Sequence, residues 1–300
     1  MGASRSSTRS AIHGQIGMLA TLLALVAALA ACGAPEPAEP SDAQAIAQRV
    51  RAAARDVATY RTSLYTTVRN KAMGDPVAYT MSSVMESATD TARRRSGVSG
   101  TATFGVSYQS DPVGSATTSM YMIGYDVYAH TRFEPGPGDQ PWIKSTMPAS
   151  MNTQFDDLWA AESLEGRTRL LEDVTESSSF AVETIEGRDY YVPELQPNMR
   201  KILEAPGSGL SSHGAIDPNV LSAMTDLSWS VRVRYWIHPE TFLPLRALFE
   251  ADTEAGDDGS IAVLEIRMDT FYWDFDEPMD IALPPEALNA VVRPWADRGF

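Results

Sequence analysis

Few residues in this 300-residue chain are of types that do chemistry. There is one cysteine, Cys32, at the end of an apolar run. Its thiol has three uses open to it: an inert filler, a reactive group, or a point of covalent attachment. Histidines are scattered: His130, His213 and His238 follow the run singly, with neither the HxH nor the HxxxH spacing that sets two imidazoles on one metal. No serine stands in a GxSxG frame, the strained turn that presents a nucleophilic hydroxyl. No GxxxxGK[ST] loop cradles phosphates, and Gly136-Pro137-Gly138 reads as a chain reversal. Carboxylates gather twice, at Asp252, Glu254, Asp257 and Asp258 and at Asp274, Asp276, Glu277 and Asp280. Neither group has the central glycine and distal glutamate of a calcium loop, so both read as solvated acidic turns. Arg93-Arg94-Arg95 reads as a solvated strand edge whose charge discourages aggregation. The inventory predicts a protein that is not an enzyme and holds no metal or other cofactor.

The flanks of Cys32 decide between its three uses. Residues 1–17 carry Arg5 and Arg9 and no acid, and Met18 to Ala31 is apolar apart from Thr21. That run is shorter than the roughly 20 residues of a spanning helix and has the layout of an export signal. It closes in Leu29-Ala30-Ala31-Cys32-Gly33, which resembles the bacterial lipobox, a leucine and two small residues ahead of a cysteine that is diacylated before cleavage. The division expected is a lipoprotein signal peptide over 1–31, lipidated Cys32 with a stalk over 32–41, and one folded domain over 42–300. The stalk, Ala34-Pro35-Glu36-Pro37-Ala38-Glu39-Pro40, favours an extended polyproline conformation. Two acyl chains give stable anchoring where one is marginal. The place expected is therefore the extracytoplasmic face of a cell membrane, with membrane lipid as the partner of the diacylglyceryl anchor.

Composition agrees with a folded domain: 44% of residues are hydrophobic and 21% charged. Acids outnumber bases 39 to 24, a net charge of −15 that becomes −17 when Arg5 and Arg9 are removed. Such a surface repels nucleic-acid phosphates and anionic headgroups alike. With no second cysteine there is no disulfide to make.

The elements that would position any site follow from periodicity. Ile46, Val50, Ala54 and Val57 recur at helical spacing behind a Ser41 or Asp42 cap, predicting a helix to about Thr59. From Tyr60 the period becomes two, with strands at 60–69, 77–88 and 100–109 and a bulge near Ser82-Ser83, where the alternation slips. Residues 117–133 form a hairpin turned at Gly124, and Trp142-Ile143-Lys144 resumes a strand. Short helices follow within 151–171, then strand over 180–192 with a turn at Glu186-Gly187, helix over 193–205, a loop over 206–218 and a short helix over 219–226. Three antiparallel strands close the chain at 229–237, 243–252 and 260–273.

The stretch Tyr235-Trp236-Ile237-His238-Pro239-Glu240-Thr241-Phe242-Leu243-Pro244-Leu245-Arg246 resembles the W-I-D-P-x-T-x-L-P-x-R hairpin of lipoproteins related to LolA, LolB and the LppX/LprAFG group. His238 replaces the usual aspartate, which weakens side-chain capping of the turn. Val127-Tyr128-Ala129 with Trp142-Ile143-Lys144 is similar to a V-Y-x-K … W-x-K pair, and the segments 183–192 and 275–287 resemble two further motifs of the group. The resemblance spans about residues 42–290. It implies an α+β fold, a curved antiparallel half-barrel with helices across its concave face, and an apolar cavity between them for a lipid or other amphiphile. Tyr79, Met81, Met120, Met122, Tyr128, Trp142 and Trp236 are the expected cavity lining. Flexible methionines suit an adaptable cavity and an ordinary core equally well. The other function considered is a surface interaction or sensor module of the same fold with a filled core and no ligand.

Overall fold

A computed structural model describes residues 43–71, 78–106, 112–136, 138–169, 171, 175–198, 229–254 and 263–295. They belong to one compact unit, Asp42–Phe300. Cys32, the stalk, His213, Asp257, Asp258 and the helices expected beyond residue 198 lie outside the described residues.

The chain opens with α1 (Ala43–Arg55), whose buried residues Ala43, Ile46, Ala47, Val50 and Ala54 form the expected stripe. Five strands follow: β1 (Thr59–Lys71), β2 (Ala78–Asp90), β3 (Arg95–Val106), β4 (Gly114–Ile123) and β5 (Asp126–Glu134). After the short β6 (Gly138–Asp139) and β7 (Ile143–Thr146) come α2 (Asn152–Glu162) and α3 (Leu164–Thr168). A second run of strands closes the unit: β8 (Thr175–Ile185), β9 (Arg188–Pro197), β10 (Trp229–Ile237), β11 (Pro244–Glu254), β12 (Val263–Trp273) and the two-residue β13 (Val291–Val292).

All thirteen strands form one curved, open sheet in the order β13-β7-β5-β4-β3-β2-β1-β12-β11-β10-β9-β8, with β6 beside β5. It consists of two antiparallel meanders, β1 to β5 and β8 to β12, joined where β1 pairs with β12 from Arg61↔Trp273 to Lys71↔Val263. Only β13 against β7 is parallel. The fold is α+β, with helices lying on one face of the sheet, called here the inner face.

Two expectations are corrected. β2 pairs with β1 and β3 without a register shift, so there is no bulge at Ser82-Ser83. What slips there is polarity alone, because the inner-facing positions carry Ser83 and Ser87 while Val84 points outward. The helix expected from Pro193 is strand as far as Pro197, because Tyr191, Pro193 and Leu195 continue the inward alternation and β9 is flanked by β8 and β10. Pairing on both sides overrides local propensity.

The core lies under the helices. Ile46, Ala47 and Val50 of α1 pack on Leu195, Val231, Val233, Tyr235, Ile237, Phe249 and Ala251. At the other half of the sheet Phe155 and Trp159 of α2 pack on Met122, Val127 and Met147. Arg51 and Arg55 of α1 both reach Glu165 of α3, at 3.1 and 3.3 Å. The arginine triplet spans the end of the β2–β3 turn and the first residue of β3: Arg94, at φ +51°, pairs with Asp156 of α2 at 2.7 Å, and Arg93 with Asp90 at 3.2 Å.

Mid-sheet spacing is tight at Gly100, where an added Cβ would lie 2.2 Å from the Val84 carbonyl oxygen and 2.7 Å from Met85 Cα. Both are backbone atoms and cannot swing aside. Gly100→Ala is expected to cost about 1–3 kcal/mol, whereas Gly105→Ala, with nothing within 4 Å, should leave stability unchanged or slightly raised. Urea unfolding of both variants checks this; equal midpoints would refute it.

Candidate ligand-binding face

The alternation of side chains, carried by unshifted register from β12 through β1 to β5, assigns every strand residue there to one face. Tyr79, Met81, Met120 and Met122 are inner: Met81 faces Val68 and Phe104, and Met120 lies between Val98 and Ala129. Met122 is buried beneath α2, whereas Tyr79 is 53% exposed. Tyr128, Trp142 and Trp236 are on the opposite, outer face. The seven residues expected to line one cavity are therefore divided between two surfaces.

On the outer face these residues form two aromatic and cationic clusters. Trp236 stands opposite Arg246 in the β10–β11 hairpin, with the guanidinium 4.5 Å from the indole ring and 5.3 Å from the Phe271 ring. Arg246 holds Asp269 through two bonds of 2.7 and 2.6 Å, and the indole N–H donates to Glu183 at 2.8 Å. With Tyr190, Val192 and Leu248 packed around it, Trp236 is a clamp across β8 to β12. The second cluster stacks Trp142 on His130 at 5.2 Å and beside Tyr121 at 6.0 Å. Next to it Lys144 lies over Tyr128 and pairs with Asp126 at 2.7 Å. Burial raises the Asp126 carboxyl, but hydrogen bonds from Lys144 and Thr146 outweigh it and hold the group below its ordinary value. His238 caps the turn after β10: its Nδ1 accepts from the Glu240 and Thr241 N–H groups at 3.3 and 3.4 Å.

The inner face is graded along the strands. At the end covered by α2 and α3 it carries a hydrogen-bonded cluster. The Tyr60 hydroxyl donates to the Glu162 carbonyl and accepts from Arg167 Nε at 2.8 Å, while Arg167 Nη2 meets the Glu162 carboxylate at 2.6 Å. Tyr235 donates to the Arg167 carbonyl at 3.4 Å, and the Tyr272 ring lies 6.5 Å from that of Tyr60. Burial opposes the Arg167 charge, but Glu162 and the tyrosines outweigh it and hold the guanidinium protonated. Asp276 and Glu277 close this end, Asp276 accepting from the Ala58 N–H at 2.8 Å. The second acidic group thus acts as a brace, with Asp274 pairing with Arg61 at 3.3 Å.

Toward the opposite end the inner face becomes an apolar floor of Leu64, Val68, Met81, Met85, Val98 and Phe104, none of which belongs to the buried core clusters. Phe104 and Phe133 remain 39% and 43% exposed, with the small residues Gly114 and Ala116 between their strands. This floor was legible only as alternation, because leucine, valine and methionine in a strand carry no distinguishing signal. A separate groove of about 660 Å³ is lined by Thr67, Arg69, Thr80, Arg232, Glu250 and Arg267, among others. Its charges are paired within the sheet, Arg267 with Glu250 at 2.7 Å and Arg69 with Glu265 at 3.6 Å, so it is not the apolar cavity expected.

The chain is similar to LprF. The crystal structure of LprF from Mycobacterium bovis, of the LppX/LprAFG type that the sequence motifs resemble, matches 84% of this chain and 99% of its own at 13% identity and a TM-score of 0.41. A DUF1329 family protein from Desulfovibrio piger covers 79% of this chain and 93% of its own, at 14% identity and a TM-score of 0.25. A β-barrel-like DUF1849 protein from Brucella abortus covers 72% and 98%, at 8% identity and a TM-score of 0.27. No family model and no curated protein matches the chain. At these scores none of the likenesses assigns a ligand, a partner or a site residue to this chain.

Among the described residues, no helix is long and apolar enough to cross a membrane, and no group of three or more histidine, cysteine or acidic side chains is placed to hold a metal.

Proposed function

We propose that this chain is a lipoprotein, diacylated on Cys32 and held at the extracytoplasmic face of a membrane, whose domain binds a lipid or other amphiphile against the apolar floor of the inner face. It acts as a carrier or presenter of that ligand and not as an enzyme. The observation that carries this reading is the exposure of Tyr79, Phe104 and Phe133 on the face where the sheet otherwise buries its apolar groups. An uncovered apolar sheet face accepts an acyl chain in place of core side chains. Tyr79, Met81, Met120 and Met122 belong to that floor and its covered margin, and Tyr128, Trp142 and Trp236 support the sheet from behind. The anchor rests on the sequence Leu29 to Gly33 alone.

Purified full-length protein is expected to release acyl species on solvent extraction and to take up a fluorescent fatty acid. Phe104→Asp, at a position exposed enough to tolerate charge, should weaken uptake by about tenfold or more. The absence of both bound acyl species and uptake would overturn the carrier. Cys32→Ala should leave the domain folded and the protein unanchored.

A second reading has its own observation: Tyr65, Val84 and Phe271 form an exposed apolar group on the outer face, 48%, 44% and 36% exposed. Tyr65 pairs with Val84 and meets Phe271 edge-on at 6.0 Å. If the domain is instead an interaction module, Tyr65→Asp abolishes partner capture, and fatty-acid uptake is absent from the unmodified protein.

A further inference from the structure

The two ends of the sheet are finished differently. At one end β13 contributes only two residues, and they pair in parallel. At the other, β8 runs for eleven residues, regular from Ser177 onward, and among the described residues it is an edge strand with no partner beyond it. Edge strands in soluble proteins are usually blunted by lysine, proline, a bulge or a cover, because unpaired N–H and C=O groups recruit another strand. From Ser177 to Ile185 the sequence Ser-Ser-Ser-Phe-Ala-Val-Glu-Thr-Ile has no lysine, no proline and no bulge, and its one charge is Glu183. Ser179, Ala181, Val182 and Thr184 are exposed, Val182 at 53%.

We propose that β8 pairs antiparallel with β8 of a second copy of this chain, extending the sheet across a twofold axis. The strand is complementary to itself. With the axis at Ala181, Val182 faces Phe180 of the second copy on the inner side, and the same pair recurs by symmetry. Glu183 faces Ser179 on the outer side, so no like charges oppose each other between Ser177 and Ile185; just beyond that stretch Glu176 falls opposite Glu186 of the second copy. Phe180 already packs on Tyr191 at 5.8 Å, so the incoming valine meets an ordered aromatic surface. Main-chain bonds supply the affinity, and the two Val182–Phe180 contacts fix the register. The negative charge of each copy opposes association at long range, so pairing strengthens as salt screens it. This inference is independent of what the inner face binds.

Sedimentation of the mature protein in detergent should show the monomer shifting toward twice its mass with rising concentration, and more so at higher salt. Val182→Lys, a charge placed on an exposed edge position, should lower association by about tenfold or more with an unchanged melting temperature. Ala181→Cys in the Cys32→Ala background should form a disulfide-linked dimer on oxidation. A monomer at every concentration and salt would overturn the proposal. So would a dimer that survives Val182→Lys and gives no Ala181→Cys cross-link, since it must form through another surface.

Discussion

Above pH 10 the domain is expected to unfold over a narrow pH interval, and its tyrosines set the onset. Tyr60, Tyr235 and Tyr272 are at most 5% exposed. Burial raises all three hydroxyls above their ordinary value, that of Tyr272 to about 12. Unfolded, a tyrosine releases its proton near 10. Below that value both states are protonated and the contribution of the buried hydroxyls is complete. As the pH rises past it, the unfolded chain sheds protons that the folded chain keeps, so stability falls by about 1.4 kcal/mol per pH unit for each tyrosine. Tyr235 and Tyr272 together remove roughly 3 kcal/mol per unit between about 10 and 12, and Tyr60, also raised, adds to the loss at its onset; this is a large part of the 5–15 kcal/mol that stabilises an ordinary domain. Circular dichroism and tyrosinate absorbance, followed together, should show loss of structure and ionisation of these residues in one step. Reversible ionisation of all 11 tyrosines near pH 10 with the sheet intact would refute the account.

The second large effect is expected from Arg167, which links α3 to β1 and to the end of α2. Arg167→Met keeps the length of the side chain and removes its charge. The Glu162 carboxylate loses its partner, and the Tyr60 hydroxyl loses a donor. Breaking a buried pair costs about 3–5 kcal/mol; here solvent reaches the pair, whose side chains are 29% and 16% exposed, so a loss of roughly 2–4 kcal/mol is expected. Adding Glu162→Gln should recover part of that loss, because the stranded charge is removed with it. Chemical denaturation of the two single variants and the double variant measures the coupling. Additive losses would mean that the pair does not act as a unit.

How much of this could be read beforehand differs between the two faces. Tryptophan, arginine and the Pro-Glu-Thr turn are rare enough to mark a hairpin, and the hairpin is where the motif placed it. The same rarity drew Trp236, Tyr128 and Trp142 into the expected binding site, although their neighbours Arg246, Lys144 and His130 place them on the outer face. An aromatic residue in a strand has two faces open to it, and only register against its neighbours selects one. The Tyr60–Arg167–Glu162 cluster was not legible, because Tyr60 is about 100 residues from the other two. Strand periodicity carried the inner floor: Met81 and Met120, expected as cavity lining, lie on the inner face, and nothing in the sequence signalled that Phe104 and Phe133 lie there too. Pro193 to Pro197 read as helix because two prolines obscured an alternation that pairing on both sides enforces.

The seam between β1 and β12 has a consequence for biogenesis. The middle of the sheet is built from the first strand of the domain and its last long one, Arg61 against Trp273. Synthesised at about 5–20 residues per second, partners roughly 200 residues apart meet only after tens of seconds. Until then neither meander has its neighbour, and the inner face has nothing to close around. If the chain is exported as proposed, such wiring suits it, since its own topology delays folding until almost all of it has emerged.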